Sequence, residues 1–376
     1  MKTLLKILGG FLIGIIAGLA IAAVMIVLFT DQTFSEFIEN MQSTAGTEIL
    51  LSAAVAMVSF LISVVILIPV HEAGHLVCGL LTGYKFVSFR IFNLTFIKVN
   101  NRLKVKKFSV AGTGGQCLLL PPDIEPAKVP TAWYNAGGVL ANIIVLLLVL
   151  PLFTLNMHPF LIEALCIFCI TDAIIILANG IPMKLGGISN DGYNCIFLNR
   201  NLQSKKAMLC QLRSNALIQE GVRPKDMPRE WFEYNAPVDY TNPLEVSIPL
   251  MHASRLVDEM RFDEAKAEFE ELYSHKADLI GLYVNEIACE LAFCAMVMGD
   301  KERAVELLDS KLRKYIDTYS KTMSGKQRLL CAISLYLDND KAKAAEIYKN
   351  LVDSQAGYLL QGEVKSDLAI MKEILK

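Results

Sequence analysis

Three ionisable side chains, His71, Glu72 and His75, sit inside an apolar run that extends from Ile49 to Leu81. A run this long and apolar is a candidate to lie in lipid, where backbone N–H and C=O groups must pair within the segment, so it has to be a helix. On a helix the two histidines of His71-Glu72-Ala73-Gly74-His75 fall at i and i+4, on one face and about one turn apart. At that spacing both imidazoles can grip one Zn²⁺, and Glu72 lies beside them, placed as a general base to take a proton from water. An acidic or basic residue at the centre of a membrane helix costs about 2.5–3.5 kcal/mol. Three ionisable groups together therefore call for a partner inside the bundle, and a metal is the simplest one. The plainer alternative is a chance pentapeptide whose histidines are satisfied structural residues.

Four apolar segments predict spans at about 5–29, 49–82, 132–155 and 160–183. The first follows Lys2 and Lys6 and is too long for the apolar core of a cleaved signal, so it reads as a retained helix, with Gly14 and Gly18 in small-xxx-small spacing. The last two are joined by the short Asn156-Met157-His158-Pro159 turn, in which His158 reads as an ordinary turn residue. Loop charge gives an orientation. The 30–48 loop carries Asp31, Glu36, Glu39 and Glu48 without Lys or Arg, whereas the 84–130 loop carries Lys85, Arg90, Lys98, Arg102, Lys104, Lys106, Lys107 and Lys128. By the positive-inside rule the N-terminus, the 84–130 loop and everything after span four are cytoplasmic. The expected location is a cell membrane, crossed several times.

The 84–130 loop alternates over Val87–Phe92, is β-rich over Leu94–Val99, turns at Asn100-Asn101 and returns over Leu103–Val110. This predicts a β-hairpin or small sheet, either a cytoplasmic cap over the site or an edge that pairs with an unwound substrate by strand addition. Gly112-Thr113-Gly114-Gly115 leads to no P-loop lysine, so phosphate binding is not expected. Residues 196–245, with Pro224, Pro228, Pro237 and Pro243, read as a connector. From 246 to 376 the pattern becomes paired amphipathic helices, with Ala265, Ala304 and Ala344 recurring at intervals of 39 and 40 residues. That resembles tetratricopeptide-type hairpins in a small solenoid whose concave face could dock a protein partner. A formal net charge of −2, with no basic block interleaved by aromatics, argues against nucleic acid as a partner. Nine cysteines without framework spacing fit thiols kept reduced or buried, and Cys166 and Cys169 read as packing residues. The expected fold is mainly α: a polytopic membrane helix bundle of about four spans over 1–195 with a small cytoplasmic β-hairpin insertion, then a soluble helical domain.

Two histidines do not complete a catalytic zinc site, which takes a third protein ligand and keeps a position open. Asp191, in Asn190-Asp191-Gly192 just beyond span four, is the candidate, with a solvated turn as its plain alternative. Asp172, inside span four and near Asn179 on the same helix face, is the rival donor, read instead as structural or proton-handling.

HExxH in one span, Gly138-Val139-Leu140-Ala141-Asn142 in the next, and Asn179-x-x-Pro182 followed by Asp191-Gly192 resemble the site-2 protease family of intramembrane zinc metalloproteases over roughly 50–195. The resemblance implies His71, His75 and Asp191 as ligands of one zinc per chain and Glu72 as the base. It also implies that Asn142 and Asn179 accommodate substrate. Two departures stand out: Val139 replaces a commoner proline, and the connection from Met183 to Asn190 is longer than is usual in that family. The expected activity is hydrolysis of a peptide bond in a membrane-embedded or membrane-adjacent substrate near the cytoplasmic face. The alternative from another class is a non-catalytic membrane scaffold that recruits partners through its helical repeats. A transporter is the weaker third reading, since no inverted repeat is visible.

Overall fold

The computed structural model describes residues 46–99, 102–108, 114–234 and 237–376. The expected first span, 5–29, lies outside these residues. Three of the described helical segments, Leu51–Leu81, Pro126–Thr154 and Pro159–Gly180, are long and apolar enough to cross a membrane. They correspond to the other three expected spans. Helix α1 runs Gly46–Leu81, α2 Thr131–Val149 and α3 Pro159–Gly180. Side chains such as Phe60, Leu61, Val65, Ile144, Leu148, Ile174 and Leu177 project outward from them, exposed. A bilayer is the solvent that tolerates such faces.

The chain divides into two units. The smaller draws its described residues from 46–62 and Phe153–Phe168, and within it Ser52 Oγ donates to Glu163 Oε1 at 2.6 Å, satisfying a carboxylate set in an apolar stretch. The larger comprises Ser63–Leu152 and Cys169–Lys376 and holds everything that follows.

The expected hairpin or small sheet is a sheet of four strands. Strands β1 (Lys85–Ile91), β2 (Leu94–Val99), β3 (Arg102–Lys107) and β4 (Gly115–Leu120) make one antiparallel sheet in the order β3-β2-β1-β4. Val99 pairs with Arg102, on either side of the expected Asn100-Asn101 turn, whose two residues lie outside the described ones. The first turn lies at Phe92-Asn93, where Phe92 takes φ +52. The fourth strand escaped the reading because glycines precede it and Cys117–Leu120 is a continuous apolar run without alternation. Its Cys117 and Leu119 pack with Tyr84, Val129, Tyr134, Leu198, Met208 and Leu209 into one core.

Met208 and Leu209 belong to α5 (Leu202–Glu220), a helix in the stretch read as a connector. It is tied in by polar contacts: Lys205 Nζ donates to Ala127 O at 2.9 Å, and Ser204 Oγ to Glu245 Oε1 at 2.9 Å. Beyond it, α6 (Pro243–Asp258) and α7 (Phe262–Ser274) form the first helical hairpin. Next come α8 (Gly281–Val297) with α9 (Lys301–Leu307), the extra helix α10 (Ser310–Tyr319), α11 (Ser324–Ala332) with α12 (Lys341–Ser354), and α13 (Gln361–Ile374). The hairpin turns repeat one device. Met260 (φ +62), Gly299 (φ +81) and Asn339 (φ +54) each reverse the chain in the left-handed region. In the first two, the next residue's N–H reaches back to a carbonyl one turn earlier, Arg261 to Leu256 and Asp300 to Ala295, closing the orphan carbonyls of the helix end. At the third, a π turn over Ile333–Leu337 widens the closure, and Asp340 N–H reaches Ser334 O. Ala265, Ala304 and Ala344 are all fully buried, each in the second helix of its pair, where a larger residue would force the helices apart.

Candidate metal centre

Helices α1 and α2 cross backbone to backbone. A Cβ on Gly74 would lie 2.1 Å from Gly137 O, and one on Gly137 would lie 2.3 Å from Gly74 O. Only glycine permits that approach, and it lays the face of α2 directly against the two imidazoles. A Cβ on Gly138 would sit 2.5 Å from His71 Nε2 and 2.6 Å from His75 Nε2.

Both imidazoles are buried, and their outer nitrogens are committed. His75 Nδ1 is 2.8 Å from Tyr134 O, a carbonyl that can only accept, so Nδ1 carries the proton. His71 Nδ1 is 2.8 Å from Asn142 Oδ1. The amide orientation follows from its other end, where Asn142 Nδ2 donates to Asp172 Oδ1 at 2.7 Å, a carboxylate that accepts. Both Nε2 lone pairs therefore turn inward, 3.2 Å apart.

Asp191 completes the cluster. Its Oδ2 is 3.0 Å from His71 Nε2 and 3.3 Å from His75 Nε2. The connection from Met183 to Asn190 is taken up by a small hairpin, β5 (Lys184–Leu185) and β6 (Ile188–Ser189), around Gly186-Gly187, both at positive φ. Asn190 N–H then returns to Met183 O. The Asn190 side chain locks the return: Oδ1 accepts from Tyr193 N and Met183 N, and Nδ2 donates to Ala178 O and Ile181 O. It caps α4 (Asp191–Phe197), whose first residue is thereby held at the end of α3. Gly192 lets this turn press against Gly180 O, 2.2 Å from where a Cβ would be.

Burial alone would raise the Asp191 carboxyl, but the two imidazole edges beside it outweigh that and keep the group a carboxylate. Two lone pairs and a carboxylate converging at 3.0–3.3 Å repel one another unless a proton or a cation lies among them. Tetrahedral zinc with bonds of 2.0–2.2 Å needs donors about 3.3–3.6 Å apart, within a few tenths of an ångström of these edges. His71, His75 and Asp191 could thus hold a metal ion.

The structure also places the other predicted residues. Glu72 flanks the cluster with its carboxylate against Gly115 of β4, where a Cβ would come within 2.5 Å of Oε1. Arg90, buried on β1, lies in electrostatic reach of Glu72 and fixes this end of the sheet through Phe92 O and Gly115 O, both at 2.9 Å. Tyr134 donates its hydroxyl to Cys117 O at 2.7 Å. Two carbonyls of the edge strand β4, Gly115 O and Cys117 O, therefore already accept side-chain hydrogen bonds. Asn142 is fully buried with both amide ends engaged, behind His71, and does not face an incoming chain. Asp172 stands one bond further back and is not among the clustered donors. Asn179 is not brought to the cluster, since its side chain donates to Ile175 O in its own helix at 3.0 Å. Sequence alone assigns no place at the site to Tyr134, Gly138, Gly115 or Arg90. Of these, only Gly138 had a signal, its place at the head of the Gly-x-x-x-Asn segment. No protein family, curated protein or solved structure matches this chain, so its function has to be argued from the site itself.

Proposed function

We propose that this chain is a membrane zinc endopeptidase of the kind the site-2 protease resemblance implies, its soluble helices on the cytoplasmic side. The observation that carries the reading is the convergence of His71 Nε2, His75 Nε2 and Asp191 Oδ2 with Glu72 at its flank. His71, His75 and Asp191 would hold the zinc ion, which would supply Lewis acidity toward a scissile carbonyl and toward water near neutral pH. The protein's part is positional and protonic. Tyr134 O and Asn142 fix the imidazole tautomers, and Asp172 fixes Asn142 in turn, a backing that raises ligand basicity and holds ring orientation. Asn142 is thereby assigned a positioning role in place of contact with substrate. Glu72 takes a proton from the attacking water as its oxygen adds to the carbonyl carbon, and returns it to the amine nitrogen as the C–N bond breaks. A helical substrate must unwind first, because its carbonyls are otherwise engaged.

The test is Glu72→Gln in the full chain, co-expressed with candidate membrane peptides. Zinc content should persist while cleavage falls by about 10²–10⁴-fold, the usual worth of a general base. Unchanged cellular function in that variant would instead support the scaffold.

A further inference from the structure

The helical domain contains a partly open cavity of about 220 Å³ between α5, α6, α8, α11 and α13, which the hydrolytic reading does not use. Its volume is well over ten times the ~10–15 Å³ that one water needs. Met227, Phe232, Leu250 and Met251 give it an apolar wall. The rest of its lining is charged. Glu286 and Glu290 stand one turn apart on α8, Glu363 and Asp367 one turn apart on α13, and Lys326 and Arg328 come from α11.

Three ion pairs use most of this charge. Lys326 Nζ meets Glu286 Oε2 at 2.9 Å, Arg328 Nη2 meets Glu290 Oε2 at 2.7 Å, and Arg328 Nε meets Asp367 Oδ1 at 2.8 Å. Such a network can specify a fold by itself. Two groups are left over. Among the described residues no ion pair or hydrogen bond is made by the Glu363 side chain, whose carboxyl burial, together with Asp367, Glu286 and Glu290, pushes up to about 8 against the pull of Lys326. Arg328 is 3 % exposed, and its Nη1 has no acceptor. The first lacks a cation and the second lacks an oxygen.

We propose that this cavity binds a Lys- or Arg-bearing segment of a peptide, the basic nitrogen at Glu363, a backbone carbonyl at Arg328 and a neighbouring apolar side chain against Phe232 and Met251. Resting on the protease reading, the segment is the cytoplasmic flank of the membrane substrate. Such flanks carry an excess of Lys and Arg next to apolar residues, which is the chemistry the cavity lacks. Four carboxyl groups face two cations in this lining, and a basic nitrogen entering at Glu363 would replace the proton its acidic neighbours hold there.

The test uses the full chain in nanodiscs, carrying Glu72→Gln to prevent turnover. Fluorescence anisotropy reads binding of a labelled Leu-Lys-Lys-Leu-Phe peptide and of the same peptide with acetylated lysines. Acetylation should weaken binding about tenfold or more. Glu363→Gln, and independently Ser254→Phe, which fills the cavity from α6, should do the same, whereas a zinc chelator should have no effect. Equal binding of both peptides, no binding of either, or wild-type affinity in both variants overturns the proposal. Binding of spermidine alone overturns it too, in favour of a free polyamine. Charge-selective binding supports the cavity whether or not the wild type cleaves, so a failed protease reading is recognised separately. Cleavage without such binding removes the cavity's role and leaves the protease reading intact.

Discussion

Replacing Gly138 by alanine is the sharpest perturbation the geometry offers. The new methyl would stand 2.5 Å from His71 Cε1 and Nε2 and 2.6 Å from His75 Nε2, where ordinary contacts begin near 3.4 Å. Relief requires a shift of roughly 1 Å, and overpacking of this kind costs about 1–3 kcal/mol. Helix α2 could retreat only by opening the Gly74–Gly137 crossing and stretching the bonds from His71 to Asn142 and from His75 to Tyr134 O. If the rings move instead, the donors leave their triangle. Either route disturbs the ligands or their backing, which is worth about 10–100-fold in metal affinity. A misplacement of about 1 Å costs roughly 10²-fold in rate. Competition with a chromophoric chelator on the purified full chain reads the affinity, and Gly281→Ala, where a methyl meets nothing within 4 Å, is the control. Zinc affinity in Gly138→Ala equal to that of the control would refute the reasoning.

Asn142→Leu should weaken zinc about 10–100-fold in the same titration, because His71 loses the acceptor that sets its tautomer. It should also lower stability by about 2–6 kcal/mol, since Nδ1 of His71 and Oδ1 of Asp172 would both be buried without partners, at about 1–3 kcal/mol each. Glu363→Gln should flatten the pH dependence of thermal stability. The folded carboxyl titrates at about 8 and the unfolded one near 4.3, so the folded state holds a proton that the unfolded state lacks between those values. Stability from this group is therefore greatest below about pH 4 and is lost as pH rises towards 8. At pH 8 the glutamine variant should be the more stable of the two, read by intrinsic-fluorescence melting. Parallel pH slopes in the two proteins would contradict it.

Much of this architecture could be read from the residues because each signal was a one-dimensional pattern. Apolar length marked the helices at 46–81, 131–149 and 159–180, and a polar turn followed by a small residue marked the hairpins around Ala265, Ala304 and Ala344. His71 and His75 were legible because i, i+4 on a helix fixes their relation. What escaped depends on distant segments meeting. Strand β4 carries no alternation, and its partner β1 lies across two other strands in sequence. The backing of His71 by Asn142 and Asp172 joins three helices, and nothing in local spacing announces it. The resemblance implies that Asn142 touches substrate, whereas its place in the structure is fully buried, with Oδ1 on His71 and Nδ2 on Asp172, a relation between helices that local spacing does not carry. Helix α5 was hidden by the prolines that follow it, although its buried face is plain once the sheet lies against it.

The most direct measurement is the metal content of the purified full chain, by inductively coupled plasma mass spectrometry, for the wild type and for Asp191→Ala. The account predicts about one zinc per wild-type chain and its loss on exchange in the variant, since two imidazoles alone leave the site short of a protein ligand. A wild-type chain that takes up no zinc when it is supplied, or a variant that holds the ion as tightly as the wild type, would contradict it.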